Sequence, residues 1–148
     1  MKKIYPIPEL CINCGRCVVA CKTAHSKSKN PVKAYKYEQC PAPRIRVEGD
    51  NDFSFASNCR QCAKPQCVEA CISGAMQKDP VTGVVFVDAK KCVGCGTCVV
   101  SCPFGAVHVE TTAIKCDLCG SCAGQPGNPS CVAACPNRAL VYVESEDE

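Results

Sequence analysis

The chain has 148 residues and a formal charge of +3, with 18 cysteines and no tryptophan. Its length allows one or two small domains, and four Phe and four Tyr leave a conventional apolar core thin. Scattered basic residues without a nucleic-acid motif exclude a nucleic-acid binder, and no apolar run approaches the length of a membrane span.

The opening stretch, Met1 to Pro8, has two lysines but no apolar segment, cleavage site or twin-arginine pair. Export is therefore not signalled, and a reduced, cytoplasmic setting is expected. The first cysteine group follows, Cys11-Ile-Asn-Cys14-Gly-Arg-Cys17-Val-Val-Ala-Cys21. Residues 22–58 form a long insertion. Within it Lys27 to Lys36 is polar and lysine-rich and reads as an exposed loop, Pro41 to Val47 predicts a strand, and Gly49 to Asp52 predicts a turn. The second group is Cys59, Cys62, Cys67 and Cys71, followed by a turn over Lys78 to Gly83 and a predicted strand from Val84 to Val87. The third, Cys92, Cys95, Cys98 and Cys102, runs into Pro103-Phe-Gly-Ala-Val-His-Val109. The fourth, Cys116, Cys119, Cys131 and Cys135, is stretched by a loop-like Ala123 to Ser130 and runs into Pro136-Asn-Arg-Ala-Leu-Val-Tyr-Val143. Glu144 to Glu148 reads as a solvated acidic end. The unit that recurs is a cysteine loop, a helical turn closed by proline in the last two groups, and a small β-element.

Cysteine at this density means disulfides, zinc or iron–sulfur clusters. A reduced compartment and regular i, i+3 pairs argue against disulfides. Structural zinc uses two pairs across a longer loop, commonly with histidine, whereas here there are two His in all and a third cysteine close to each pair. Two groups follow the C-x2-C-x2-C-x3-C run of bacterial ferredoxins without deviation, and the other two are the same run with a widened middle. Three closely spaced thiolates suit three corners of a cubane, and the fourth, one helical turn on, points to a neighbouring cluster. Four clusters with their thiolates would move the protein by about −8 from its formal charge, to near −5. The metals would supply much of the order that the core lacks, so the metal-free chain is expected to fold poorly. Gly15, Gly94 and Gly96 lie inside the cysteine loops, where small residues satisfy tight turns and let N–H groups approach sulfide.

Four groups in this order, with Cys59-Arg-Gln-Cys-Ala-Lys-Pro-Gln-Cys-Val-Glu-Ala-Cys71, Lys91-Cys-Val-Gly-Cys95, Cys102-Pro-Phe-Gly-Ala106 and Lys115-Cys-Asp-Leu-Cys119, resemble a known family. The chain looks like the four-cluster, ferredoxin-like electron-transfer subunits that accompany DMSO reductase-type molybdoenzymes, formate-linked hydrogenases and carbon monoxide dehydrogenases. The resemblance spans Cys11 to about Val143. It implies an α+β fold of two ferredoxin-like, βαββαβ-type dicluster modules with long loops around four [4Fe-4S] clusters. Residues 1–50 with 108–148 would form an outer module and 51–107 an inner one.

Family pairing implies four ligand sets: Cys11, Cys14, Cys17 and Cys135; Cys21, Cys116, Cys119 and Cys131; Cys59, Cys62, Cys67 and Cys102; and Cys71, Cys92, Cys95 and Cys98. Cys40 and Cys122 are left over, although Cys122 makes a second plausible triplet with Cys116 and Cys119. The family expects proline after Cys71, where this chain has Ile72. His25 and His108 have no metal-like spacing, and ordinary hydrogen-bonding roles are expected for them.

Nothing in the sequence resembles a nucleophile array, a phosphate-binding loop or a dinucleotide fingerprint, so catalysis is assigned to a partner. The resemblance implies a non-catalytic subunit that relays single electrons. Its text after the first and second groups looks most like the short members beside carbon monoxide dehydrogenase, which pass electrons to a hydrogenase or a flavin oxidoreductase. Such proteins work in anaerobic settings. The alternatives are a subunit of a tungsten aldehyde oxidoreductase or other metalloenzyme, a free polyferredoxin, and a wire that self-associates by stacking.

Overall fold

A computed structural model of the chain describes residues 1–50, 52–120 and 127–145. It is a small mixed α/β fold of short elements. Strand β1 (Lys2–Pro6) pairs antiparallel with β8 (Leu140–Glu144), placing Ile4 opposite Tyr142. The N-terminal amine lies 3.1 Å from Glu144 Oε1, which ties the two ends of this ribbon together. A 3-10 turn at Pro8–Leu10 leads into the first cysteine loop.

Helix α1 (Arg16–His25) starts behind Gly15, whose left-handed backbone (φ 68°) turns the chain out of the loop. Its buried residues, Cys17, Cys21 and Ala24, recur at spacings of four and three, so they share one face. That face packs on α5 (Ser130–Ala134) and on β2 (Ile45–Gly49). The lysine-rich stretch expected as a loop contains helix α2 (Pro31–Lys36). Asn30 Oδ1 accepts the Lys33 N–H at 3.1 Å, and Pro31 at the first helical position forgoes no internal bond. The lysines mark a solvated helix there, with Ala34 fully buried beneath them.

Strand β2 pairs with β3 (Ser54–Asn58), so the expected strand near Pro41–Val47 forms over Ile45–Gly49. Ser54, Ala56 and Asn58 are buried while Phe55 and Ser57 are not, as a one-sided hairpin requires. After α3 (Gln66–Glu69), β4 (Met76–Lys78) and β5 (Val85–Val87) form a second hairpin around the expected turn. Asp79 Oδ1 holds that turn by accepting the N–H groups of Val81 and Thr82. After α4 (Thr97–Ser101), β6 (His108–Val109) pairs with β7 (Ala113–Ile114).

Ribbons of two strands are marginal alone and need a packed face. Here the buried side chains gather into two centres. One combines Ile4, Ile45, Ala56 and Leu140 with Cys17, Cys21, Cys59, Cys116 and Cys131. The other combines Met76, Val85, Val107 and Ala113 with Cys98, and Cys67, Cys71, Cys92 and Cys102 pack against it. Every sheet and every helix except α2 therefore shares a centre with cysteine. Among the described residues no helix is long and apolar enough to cross a membrane.

Candidate iron–sulfur centres

Each Cys-x-x-Cys loop carries a left-handed residue just before its second cysteine: Asn13, Gln61, Gly94 and Leu118, with φ of 54°, 48°, 69° and 56°. The shared conformation folds all four loops back on themselves, so that both cysteines face one space. A second repeat lies after the fourth cysteines. Cys102 and Cys135 close α4 and α5, and Cys71 stands just past α3. Three residues on, Gly105, Arg138 and Gly74 are again left-handed. That turn brings an N–H back to sulfur: Ala106 to Cys102 Sγ at 3.4 Å, Ala139 to Cys135 Sγ at 3.2 Å, and Met76 to Cys71 Sγ at 3.3 Å. Ile72 in place of proline leaves the turn intact.

The first run departs from this pattern. Lys22 follows Cys21, so α1 continues to His25 and no local turn forms. The long insertion supplies the donor instead, the Arg44 N–H lying 3.2 Å from Cys21 Sγ. Arg44 Nη1 is fixed by Asp117 Oδ2 at 2.6 Å, and Asp117 Oδ1 lies 3.6 Å from His25 Nε2. His25 Nδ1 donates to the Cys21 carbonyl at 2.8 Å. Burial opposes its charge, but Asp117 and Cys21 raise His25 to about 10. Its role is the hydrogen-bonding one expected, though nothing in the sequence ties it to Asp117. His108 is held below the usual histidine range by burial and the nearby Arg46.

The expected ligand sets converge as follows. Cys11, Cys14, Cys17 and Cys135 line one cavity, Cys59, Cys62, Cys67 and Cys102 a second, and Cys71, Cys92, Cys95 and Cys98 a third. The three are of one size, 340, 360 and 330 Å³ counted out to their open mouths. Cys131 is close enough to Cys116, Cys21 and Cys119 for their charges to bear on it. Cys40, half-buried after α2, lines none of these cavities. Cys122 and residues 123–126 of the loop lie outside the described residues.

Burial pushes the Cys17 and Cys67 thiols up to about 11 and Cys116 up to about 12, and it raises Cys62, Cys98 and Cys131 as well. Burial also acts on Cys71, but the Met76 N–H and Ser73 hydroxyl outweigh it and hold that thiol below the usual value. The Thr97 hydroxyl, 3.3 Å away, does the same for Cys95. Thiols crowded and desolvated in this way need a multiply charged metal group to become thiolates together. Among the described residues no three His, Cys, Asp or Glu side chains converge tightly enough to hold a single ion. Four sulfurs around a cavity, with N–H groups directed at them, suit a cubane with one iron per thiolate.

A 4Fe-4S dicluster domain model matches residues 51–145, and a 4Fe-4S binding domain model matches residues 4–24. The chain belongs to the 4Fe-4S dicluster family. It is 36% identical to electron transport protein HydN of Escherichia coli, over 90% of this chain and 83% of that protein. It is also 36% identical to the NADH-dependent phenylglyoxylate dehydrogenase subunit beta of Aromatoleum evansii, covering 92% of this chain and 29% of that subunit. Among solved structures, the active site complex BamBC of benzoyl coenzyme A reductase with benzoyl-CoA has a chain that superposes with a TM-score of 0.51. That chain is 27% identical, and the match covers 100% of this chain and 82% of that one. This member of the 4Fe-4S dicluster family is an electron transport iron–sulfur protein without catalytic activity of its own.

Proposed function

We propose that this dicluster-family chain carries four [4Fe-4S] clusters and relays single electrons between a catalytic oxidoreductase and an acceptor. The observation that carries the reading is the convergence of three cysteine quartets on three cavities of one size, each quartet drawn from two groups distant in sequence. The fourth set is Cys21, Cys116, Cys119 and Cys131, supported by the charges of the other three, with that of Cys17, bearing on Cys131. Each cubane, when bound, takes up and releases one electron. The residues set its position and environment: Ala106, Ala139, Met76 and Arg44 direct N–H groups at sulfur, and burial excludes water. Cys14 and Cys95 are the exposed cysteines among those described, and they belong to different quartets. Electrons would enter at one of these and leave at the other. Two modules of one dicluster each are proposed, 1–50 with 108–148 and 51–107, although Ala56 and Cys59 join the first buried centre and Ala113 the second, so the packing runs across these bounds.

The catalytic partner is proposed to be carbon monoxide dehydrogenase, with a hydrogenase or flavin oxidoreductase as acceptor, in a cytoplasmic and anaerobic setting. This rests on the text following the first and second cysteine groups. The phenylglyoxylate dehydrogenase and benzoyl coenzyme A reductase likenesses support other oxidoreductases as a second reading. Protein purified anaerobically should contain about sixteen iron and sixteen acid-labile sulfide per chain. Zinc without sulfide would overturn the reading. Pull-down of the tagged chain under anaerobic conditions decides between the partners.

A further inference from the structure

Gln61 and Lys115 meet where the two apolar centres adjoin, and both are buried, with 0% and 2% of their surface exposed. They bind the main chain of the same two residues. Val85 donates its N–H to Gln61 Oε1 at 2.8 Å, and its carbonyl receives Lys115 Nζ. The Cys116 carbonyl accepts both Gln61 Nε2 and Lys115 Nζ, each at 2.8 Å. The Gln61 main-chain N–H is itself directed at Cys59 Sγ, 3.5 Å away. A closed polar ring thus joins the Cys59 loop, β5 and Cys116. Cys59 and Cys116 also pack in one core and feel each other's charge.

Burying an ammonium group is costly, and carbonyl oxygens satisfy its donors without neutralising it. Lys115 adjoins Cys116 in sequence, and its ammonium lies on the Cys116 carbonyl, 2.8 Å away. Val85, which holds Lys115, also lines the cavity of Cys59, Cys62, Cys67 and Cys102.

We propose that Lys115 is a redox-positioning residue, a buried cation that raises the reduction potentials of two clusters relative to the other two. The two are those at Cys59, Cys62, Cys67 and Cys102 and at Cys21, Cys116, Cys119 and Cys131. Each reduction adds one electron and one negative charge, which a fixed cation in a low-dielectric interior favours. Gln61 orients the ammonium by holding Val85 and the Cys116 carbonyl. The inference rests on the four-cluster reading.

The test uses the whole, cluster-loaded chain with Lys115→Met, Lys115→Gln and Lys115→Arg, and with Lys33→Met on the exposed face of α2 as control. Iron and sulfide are measured per chain, and midpoint potentials are then obtained by a titration followed by electron paramagnetic resonance. Two of four midpoints should fall in Lys115→Met and Lys115→Gln and return in Lys115→Arg, while the other two stay in place. Four unmoved midpoints, or four moving together, would overturn the proposal. So would loss of clusters from both neutral variants, which would assign Lys115 to folding alone. Unmutated chain holding far fewer than about sixteen iron fails the four-cluster reading itself, an outcome read before any potential is measured.

Discussion

Gly94 and Gly15 have nearly the same backbone, φ +69° and +68°, but different surroundings. A Cβ on Gly94 would stand 2.7 Å from the Thr111 carbonyl oxygen, while one on Gly15 would meet nothing within 4 Å. Gly15→Ala should therefore cost only the left-handed backbone, about 1–2 kcal/mol. Gly94→Ala adds a displacement of the β6–β7 turn, where the Ala113 N–H is directed at Cys92 Sγ at 3.3 Å. It should melt at a lower temperature than Gly15→Ala and lose iron from one site. Equal melting temperatures and iron contents in the two variants would refute this account. The cysteine loops were legible as sites from spacing alone, but their conformation was only partly so. Asn13, Gln61 and Leu118 adopt the backbone of Gly94 without being glycine, and residue type does not announce a positive φ at such positions. Nor does it announce that Lys115 and Gln61 are buried, since each is compensated in part by Val85 on β5, distant from both in the chain.

Helix α2 shows how composition can mislead at the next scale. Lysine density suggested a loop, yet Asn30 followed by Pro31 is a helix start, and this local signal decided the structure. Asn30→Ala removes the side-chain acceptor of the Lys33 N–H and should lower stability by about 1 kcal/mol. Thermal unfolding measures this, with iron content expected unchanged, since α2 contributes no cysteine. Proline also separates the four cysteine helices. Pro103 and Pro136 follow α4 and α5, which end at the cysteine, whereas Lys22 lets α1 run one turn further. Strands β5, β6 and β8 were legible because each follows its turn in sequence, whereas β4, directly after Cys71, was not read as a strand. β1 was not, because Pro6 and Pro8 interrupt its pattern and its partner β8 lies at the far end of the chain.

Six of the eighteen buried apolar residues among those described are cysteines, which share their centres with a few aliphatic side chains. Removing the metals would leave these thiols around cavities that few other side chains fill. Iron chelation under anaerobic conditions should therefore abolish most far-ultraviolet circular dichroism and the cooperative melting transition. A metal-free chain that still melts cooperatively would show that the aliphatic residues suffice. Which cysteines share a cavity was legible through resemblance to a family, because spacing identifies groups of four but not the exchange of a fourth cysteine between groups. That exchange also orders the protein's biosynthesis. Cys59, Cys62, Cys67 and Cys102 are all translated before the fourth group begins. The wall that Cys135 contributes beside Cys11, Cys14 and Cys17 leaves the ribosome after all the other cysteine groups, together with β8, the partner of β1. The quartet of Cys59, Cys62, Cys67 and Cys102 can thus receive iron on a nascent chain, whereas Cys11, Cys14 and Cys17 must wait, open, until the fourth group has been made.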